Sequence, residues 1–548
     1  MLLHEGRSGA GVSPTLAEGW HMERLTPPSR LFGANGLRTG PDGRIYIAQV
    51  TGSQISALDV GTGQLGTISP KGGDIIAPDD VAFGPRGDLY ATEVMDGRVS
   101  VRGADGTTRV LRGDVPSANG ITVHQGRLFI GECREGGRLL ELDLAGGEPR
   151  VLLENVPSPN AMEVGPDGLL YFPVMGANEI WRIGLDGGAP ETVASGLGVP
   201  DSVKFDAAGQ IVSTQVHSGQ VLRIDPRTGE QTVLAELNPG LDNLTFVDDR
   251  LFVSNFTGEI TEILAGGQTQ TVLPGGLNWP LDLAVGSDGN LYIADGTYFY
   301  LLLPDHTLQT VGMLFTPGYP GFVRGLAPAG PGEFVVTTSG GQVLRIDPRT
   351  GEQTVLADLN PGLDNLTFVD DRLFVSNFTG EITEVLAGGA TQTALPGGLN
   401  WPLDLAVGSD GNLYIADGTY FYLLLPDHTL HTVGMLFTPG YPGFLRGLTP
   451  SGPGEFVVTT SGGQVSRYRP ASGESEVLAD GFDQLYGVAI APDGTVAAAE
   501  LGTGRVISIR SGRVETIASG LNDPIGVAIA PDGGWLVSEA GAGRVVKL

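Results

Sequence analysis

Residues 160–174 read NAMEVGPDGLLYFPV. Two short apolar runs flank a Gly-Pro-Asp-Gly turn, and a polar residue stands in front of the first run. Runs of this length, bounded by Gly, Pro and Asp, read as antiparallel strands joined by a tight turn. The same template opens at Asn35 (NGLRTGPDGRIYIAQ), Asp79 (DDVAFGPRGDLYATE), Asn119 (NGITVHQGRLFIGE) and Asp201 (DSVKFDAAGQIVSTQ). It continues from Asn243, Asp282, Arg324, Asn365, Asp404 and Arg446, and ends with units near Gly487 and Gly526. These thirteen occurrences lie roughly 40 residues apart.

Each unit then adds two further strands, as in GQVLRIDPRTGEQTVLA from Gly219, where DPRTG forms the turn. Four strands at this period predict an all-β chain of β-propeller blades, about 13 of them. Residues 219–340 are written again as 341–462 with eight differences, among them Glu236/Asp358, Gln309/His431 and Ala329/Ser451. The offset of 122 residues is three blades. A blade mostly contacts its neighbours, so a block of blades can be copied without breaking a core.

Thirteen blades exceed the usual ring of about four to eight. The expectation is two tandem propellers, six blades plus seven, the first over residues 27–276 and the second over 277–548. One oversized ring is the alternative. The stretches 273–280 and 316–322 are the two candidate crossing points. The last unit holds three strands, so the segment 19–26, containing GWHMERLT, is expected to close the last blade, with residues 1–18 a flexible N-terminus.

Hydrophobic residues make up 41% of the 548 and charged ones 17%, the balance of a folded chain. Glycine (86) and proline (37) follow no collagen period and serve as turn punctuation. A net charge of −30 repels phosphate backbones and anionic lipid, which argues against nucleic-acid and membrane partners. The single cysteine, Cys133, excludes an intrachain disulfide and reads as a buried, inert thiol. The opening residues lack a basic start and apolar run, so a cytoplasmic location is the expectation.

In a blade the innermost strand lines the channel. The residue before it and the residue ending the second strand are expected at one mouth. The first set is Asn35, Asp80, Asn119, Asn160, Asp201, Asn243 and Asp282; the second is Gln49, Glu93, Glu132, Gln215, Asn255 and Asp295. Converging amide and carboxylate oxygens are what a hard cation such as Ca²⁺ or Mg²⁺ requires. The competing reading is that Asn and Asp before a strand bond their own turn backbone. Gly487 and Gly526 carry no ligand atoms, so the N-terminal half is the place to look.

The pair PNAMEVGPDGLLYFPV and VPDSVKFDAAGQIVS resembles the SMP-30/gluconolactonase-like propellers, whose blade pattern is shared with NHL-type repeats. The resemblance implies a divalent cation held by Asn160 and Asp201, with Asp201 also the base in lactone hydrolysis. Asn119, in SANGI, corresponds to a substrate-contacting Asn. Asn35 and Asp80 are expected beside it on the substrate. The family's first ligand is a Glu where this chain has Asn35, so Glu93 or Glu132 is expected to substitute. A Ser, Ser202, stands where the family has the Gly of PDG. A second resemblance, to virginiamycin B lyase-like propellers, implies a Mg²⁺ site with a catalytic His, for which His217 in STQVHSGQ is the candidate; its pKa range suits proton transfer.

Three functions follow from these readings. One is a metal-dependent hydrolase of a lactone or similar small cyclic ester. Another is an eliminating enzyme using His217. The last is a non-catalytic scaffold for a protein or glycan partner.

Overall fold

The computed structural model of the chain describes residues 14–26, 29–278, 280–285, 290–295, 298–303, 306, 308–313, 323–330, 333–347, 352–397, 399, 402–408, 410–417, 420–435, 445–469, 472, 474–530 and 532–548. Among them the chain is almost entirely strand. The two short 3₁₀ turns are Met175–Ala177 and Ala265–Gly267. The strands form thirteen antiparallel sheets, twelve of four strands and one of five, each a meander of the propeller-blade type. No described helix is long and apolar enough to cross a membrane.

The chain divides into two compact units. The first is built on Pro28–Asn278 and the second on Trp279–Leu314, Pro320–Leu548 and Ala10–Pro27. The border falls within 273–280; the other candidate crossing point, 316–322, lies outside the described residues.

The first unit contains six sheets. Their innermost strands are Leu37–Thr39, Pro78–Phe83, Ala118–His124, Glu163–Val164, Pro200–Phe205 and Leu241–Val247. Neighbouring inner strands approach closely: Gly36 N donates to Asp79 O at 2.7 Å, and Ala161 N donates to Asp201 O at 3.1 Å. Glycine is required where the approach is tightest. A Cβ on Gly120 would lie 2.3 Å from the Asn160 carbonyl oxygen. The sixth sheet packs back on the first. Thr39 N donates to Thr245 Oγ1 (3.1 Å), Thr39 Oγ1 to Phe246 O (2.6 Å) and Ser254 Oγ to Asn35 O (2.7 Å). Beneath these bonds Leu31, Leu37, Ile45 and Ile47 of the first sheet meet Phe252, Ile260 and Leu273 of the sixth in one buried cluster.

The second unit contains the other seven sheets. In its last sheet Glu23–Arg24 pairs antiparallel with Arg544–Lys547, Glu23 opposite Lys547 and Arg24 opposite Val546. Thr26 Oγ1 also accepts from Val545 N at 3.1 Å. Within the stretch 1–18, expected to be flexible, Thr15–Leu16 instead forms a fifth strand against Arg513–Ser519. Both segments cover edges that would otherwise present unpaired backbone groups. Deleting residues 1–26 is therefore expected to destabilise the second unit by about 1–3 kcal/mol, several net hydrogen bonds, and to increase self-association, read by thermal unfolding and light scattering.

Candidate functional site: the axial ring of the first unit

Register decides which side chains meet on the axis. Each inner strand sends one apolar residue outward into its core: Leu37, Val81, Ile121, Met162, Val203 and Leu244, all fully buried. Counting back two positions gives Asn35, Asp79, Asn119, Asn160, Asp201 and Asp242. All six are at least nine-tenths buried. The sequence reading found Asn35, Asn119, Asn160 and Asp201, but it placed Asp80 and Asn243 in this set and missed Asp79 and Asp242. Asp80 and Asn243 lie one step deeper, at the level of Gly36, Gly120, Ala161 and Ser202. The usable signal was the outward apolar residue. The Asp-Asp and Asp-Asn doublets made the polar residue nearest the strand look like the ring member.

The ring is a hydrogen-bonded band of amides and carboxyls. Asn35 Nδ2 donates to Asp242 Oδ2 (2.9 Å) and Asn160 Nδ2 to Asp201 Oδ2 (3.0 Å). The carboxyls of Asp201 and Asp242 neighbour one another. Asn160 Nδ2 further contacts Met175 Sδ at 3.0 Å, which in turn lies 3.8 Å from the buried Cys133 thiol. Two amide oxygens, Asn119 Oδ1 and Asn160 Oδ1, are buried with no hydrogen-bond partner. Such orphans are uncommon in native interiors and call for an explanation. One level deeper, Asp80 accepts from Val81 N and Asn243 Nδ2 through Oδ1 and from Ile121 N through Oδ2.

Burial, then the neighbouring carboxyls, raises these acids. Asp79 is pushed up to about 8 by burial and by Asp80. Burial and Asp79 hold Asp201 well above the usual carboxylate range, and burial and Asp201 do the same for Asp242. Asp80 is also raised by burial, against the opposing pull of Arg38 and Lys204. Burial and the same carboxyls push the Cys133 thiol up, which keeps it protonated and unreactive. The ring therefore holds protons near neutrality.

A stability prediction follows with a definite sign. A carboxyl raised on folding stabilises the protein below its unfolded pKa, and that contribution is lost as pH rises through the folded value. For Asp79 the window runs from about pH 4 to about 8. Without added cation the first unit is expected to lose up to about 1.4 kcal/mol per pH unit for each such proton across that window. Asp79→Asn should flatten the slope in thermal unfolding measured from pH 5 to 9.

The second set of predicted residues serves the sheets. Glu93 Oε2 accepts from Ile76 N (2.6 Å) and pairs with Arg98, and Ser100 Oγ donates to Oε1. Glu132 is taken up by Arg134 and Arg138. The device recurs. Gln49, Gln215, Glu500 and Glu539 each accept an N–H from the loop residue 17 positions earlier: Phe32, Gly198, Asp483 and Asn522. The residue ending the second strand thus latches the loop that enters its own sheet. With their carboxylates spent in this way, Glu93 and Glu132 are not brought to the axial ring. His217 lies on the exposed turn after Ile211–Gln215, and its backbone N–H donates to Gly198 O. Among the described residues its imidazole makes no hydrogen bond to the ring. Nor do three or more His, Cys, Asp or Glu side chains gather as a metal site among the described residues.

The second unit is different on the same register. There Arg324, Asp364, Arg446 and Tyr486 occupy four of the seven corresponding positions, and Leu281, Leu403 and Ile525 the other three. Burial raises Asp364 to about 6, against the opposing pull of Arg324 and Arg446. Arg446 stacks over Tyr486 with its Cζ 5.0 Å from the ring centre. Among the described residues the band of amides and carboxyls belongs to the first unit.

Residues 15–255 match the SMP-30/gluconolactonase/LRE-like region. The match contains the whole axial ring, from Asn35 to Asp242, and bears out the resemblance read from the blades around Asn160 and Asp201. No curated protein matches the chain. Solved structures similar to it include a streptogramin B lyase (19% identity over 51% of this chain and 97% of that chain, TM-score 0.38). Another is a putative gluconolactonase (17% identity, 47% and 95%, TM-score 0.38). A third is the extracellular domain of a putative one-component system, BT4673, from B. thetaiotaomicron (12% identity, 96% and 82%, TM-score 0.38).

Proposed function

We propose that the first unit is a divalent-cation-dependent hydrolase of a small lactone or similar cyclic ester, with the axial ring as its site. The observation that carries this reading is the pair of buried, partnerless oxygens, Asn119 Oδ1 and Asn160 Oδ1, the second on a side chain bonded to the Asp201 carboxyl. Oxygen donors with at least one carboxylate fit a hard cation, Ca²⁺ or Mg²⁺, and such an ion would satisfy the orphaned amides. Asn160 and Asp201 would hold it. When bound, it would supply Lewis-acid polarisation of the ester carbonyl.

The chain's own residues supply the rest. Asp201, once deprotonated, is the general base; burial and the neighbouring carboxyls raise it above the usual carboxylate range, the direction that strengthens a base. Asn119 orients the substrate. Asn35, bonded to Asp242, fixes that carboxyl in place.

The sheet topology supports a companion reading, a six-bladed propeller followed by a seven-bladed one, the second closed by residues 19–26. The experiment is elemental analysis of the protein as purified, followed by hydrolysis of a panel of five- and six-membered lactones with and without chelator. Activity lost on chelation and restored by Ca²⁺ or Mg²⁺ supports the reading. A protein that binds no divalent cation, or that hydrolyses lactones equally well in chelator, refutes it.

A further inference from the structure

We propose that the opposite end of the first unit's axis is a second ligand site, for a small carboxylate with a compact apolar body. Two residues beyond Ala161 and Ser202 the inner strands carry Glu163 and Lys204, and the first strand carries Arg38. Arg38 Nη1 donates to Glu163 Oε2 at 2.6 Å, and its other nitrogens reach Ile121 O and Val81 O. Each of the three Arg38 side-chain nitrogens thus has a partner. Lys204, only 6% exposed, forms an ion pair with that same Glu163 oxygen at 3.3 Å, in a geometry that leaves its Nζ without a well-formed hydrogen bond. Two cations therefore compete for one carboxylate oxygen. A buried ammonium has three donors to satisfy and is costly to leave unbonded.

The space in front of Lys204 is open. A cavity of about 350 Å³ is lined by Glu163, Lys204, Phe205 and Phe246 together with the turn Val164–Pro166. Phe205 is held edge-on against Tyr171, with ring centroids 5.0 Å apart, so its wall is fixed. Two aromatic side chains and a cation with no well-formed hydrogen bond in one lining match a planar or branched monocarboxylate, which would compete with Glu163 for Lys204. The carboxylate would sit on Lys204 and the apolar body against the two phenylalanines. The Asn and Asp side chains of the opposite mouth take no part, so this site stands or falls independently of the hydrolase reading.

Benzoate, benzyl alcohol and benzylamine share one apolar body and differ in head group. Titrating each into the full-length protein by calorimetry should show saturable binding of benzoate alone. Lys204→Met, which keeps an unbranched side chain one atom shorter and removes the charge, should weaken it about tenfold or more, the scale of one charge-assisted hydrogen bond. Phe246→Trp places a fluorophore in the cavity wall and should report benzoate by a saturable change in emission. This arm decides the matter should Lys204→Met fail to fold. Absence of saturable benzoate binding, equal binding of the alcohol or amine, a Lys204→Met protein that binds as wild type, or a Phe246→Trp protein whose emission is blind to benzoate would overturn the assignment.

Discussion

Asp201→Asn is expected to reduce cation-dependent lactone hydrolysis at least about 100-fold while raising, not lowering, the thermal stability of the cation-free protein at pH 8. The two effects have one cause. Asp201 is buried among Asp79, Asp80 and Asp242, and its ionised form is disfavoured by burial and by those neighbours. The amide keeps the shape, can still bond Asn160, and removes a charge that the fold resists. Outer-shell changes at metal sites already cost about 10–100-fold, and loss of a ligand that is also the base should exceed that. Activity assays and thermal scans on the same preparation check both arms. A variant that loses stability along with activity would show that Asp201 serves the fold.

The second large effect concerns packing between sheets. Phe252→Ala is expected to destabilise the first unit by about 3–5 kcal/mol, and Phe374→Ala the second unit by a similar amount. The two phenylalanines occupy the same place in the duplicated block, and an Arg lies over each ring at 4.9 Å. Their partners differ. Phe252 meets Leu31, Leu37, Ile45 and Ile47, two hundred residues earlier in the chain, whereas Phe374 meets Leu405, Leu413 and Ile415 of the next sheet. One sequence thus packs against the first sheet of its unit in its first copy and against the next sheet in its second. For units of this size the expected shifts are roughly 6–20 °C in Tm. In calorimetry each variant should move one transition and leave the other in place.

That contrast also explains what was legible in the sequence. The period, the turns and the alternating strands are local properties, and they identified four-stranded blades from residues such as NAMEVGPDG without reference to the rest of the chain. Neighbour identity is not local. Asp242 and Asp364 are the same residue of the copied block, yet Asp242 sits in a band of amides and carboxyls and rises well above the usual range, while Asp364 lies near Arg324 and Arg446 and reaches about 6. No reading of the copied segment alone distinguishes them.

The axial ring was legible in part because Asn35, Asn119, Asn160 and Asp201 stand singly before their strands. At Asp79-Asp80 and Asp242-Asn243 a doublet hid the register, which only the outward-facing Val81 and Leu244 disclose. Glu93 and Glu132 had the right chemistry for ligands. Whether such a carboxylate faces the axis or its own third strand depends on where an arginine waits, and Arg98 and Arg138 wait on the third strands.

The central claim is that a divalent cation belongs in the band of Asn and Asp oxygens on the first unit's axis. Calorimetric titration of chelator-treated protein with Ca²⁺ or Mg²⁺, in two buffers of different ionisation enthalpy, tests it most directly. The account predicts one site per chain, proton release on binding near pH 7 as the raised carboxyls give up what they hold, and loss of the signal in Asn160→Ala and Asp201→Asn. Absence of binding, binding without proton release, or binding undiminished by those substitutions would contradict it.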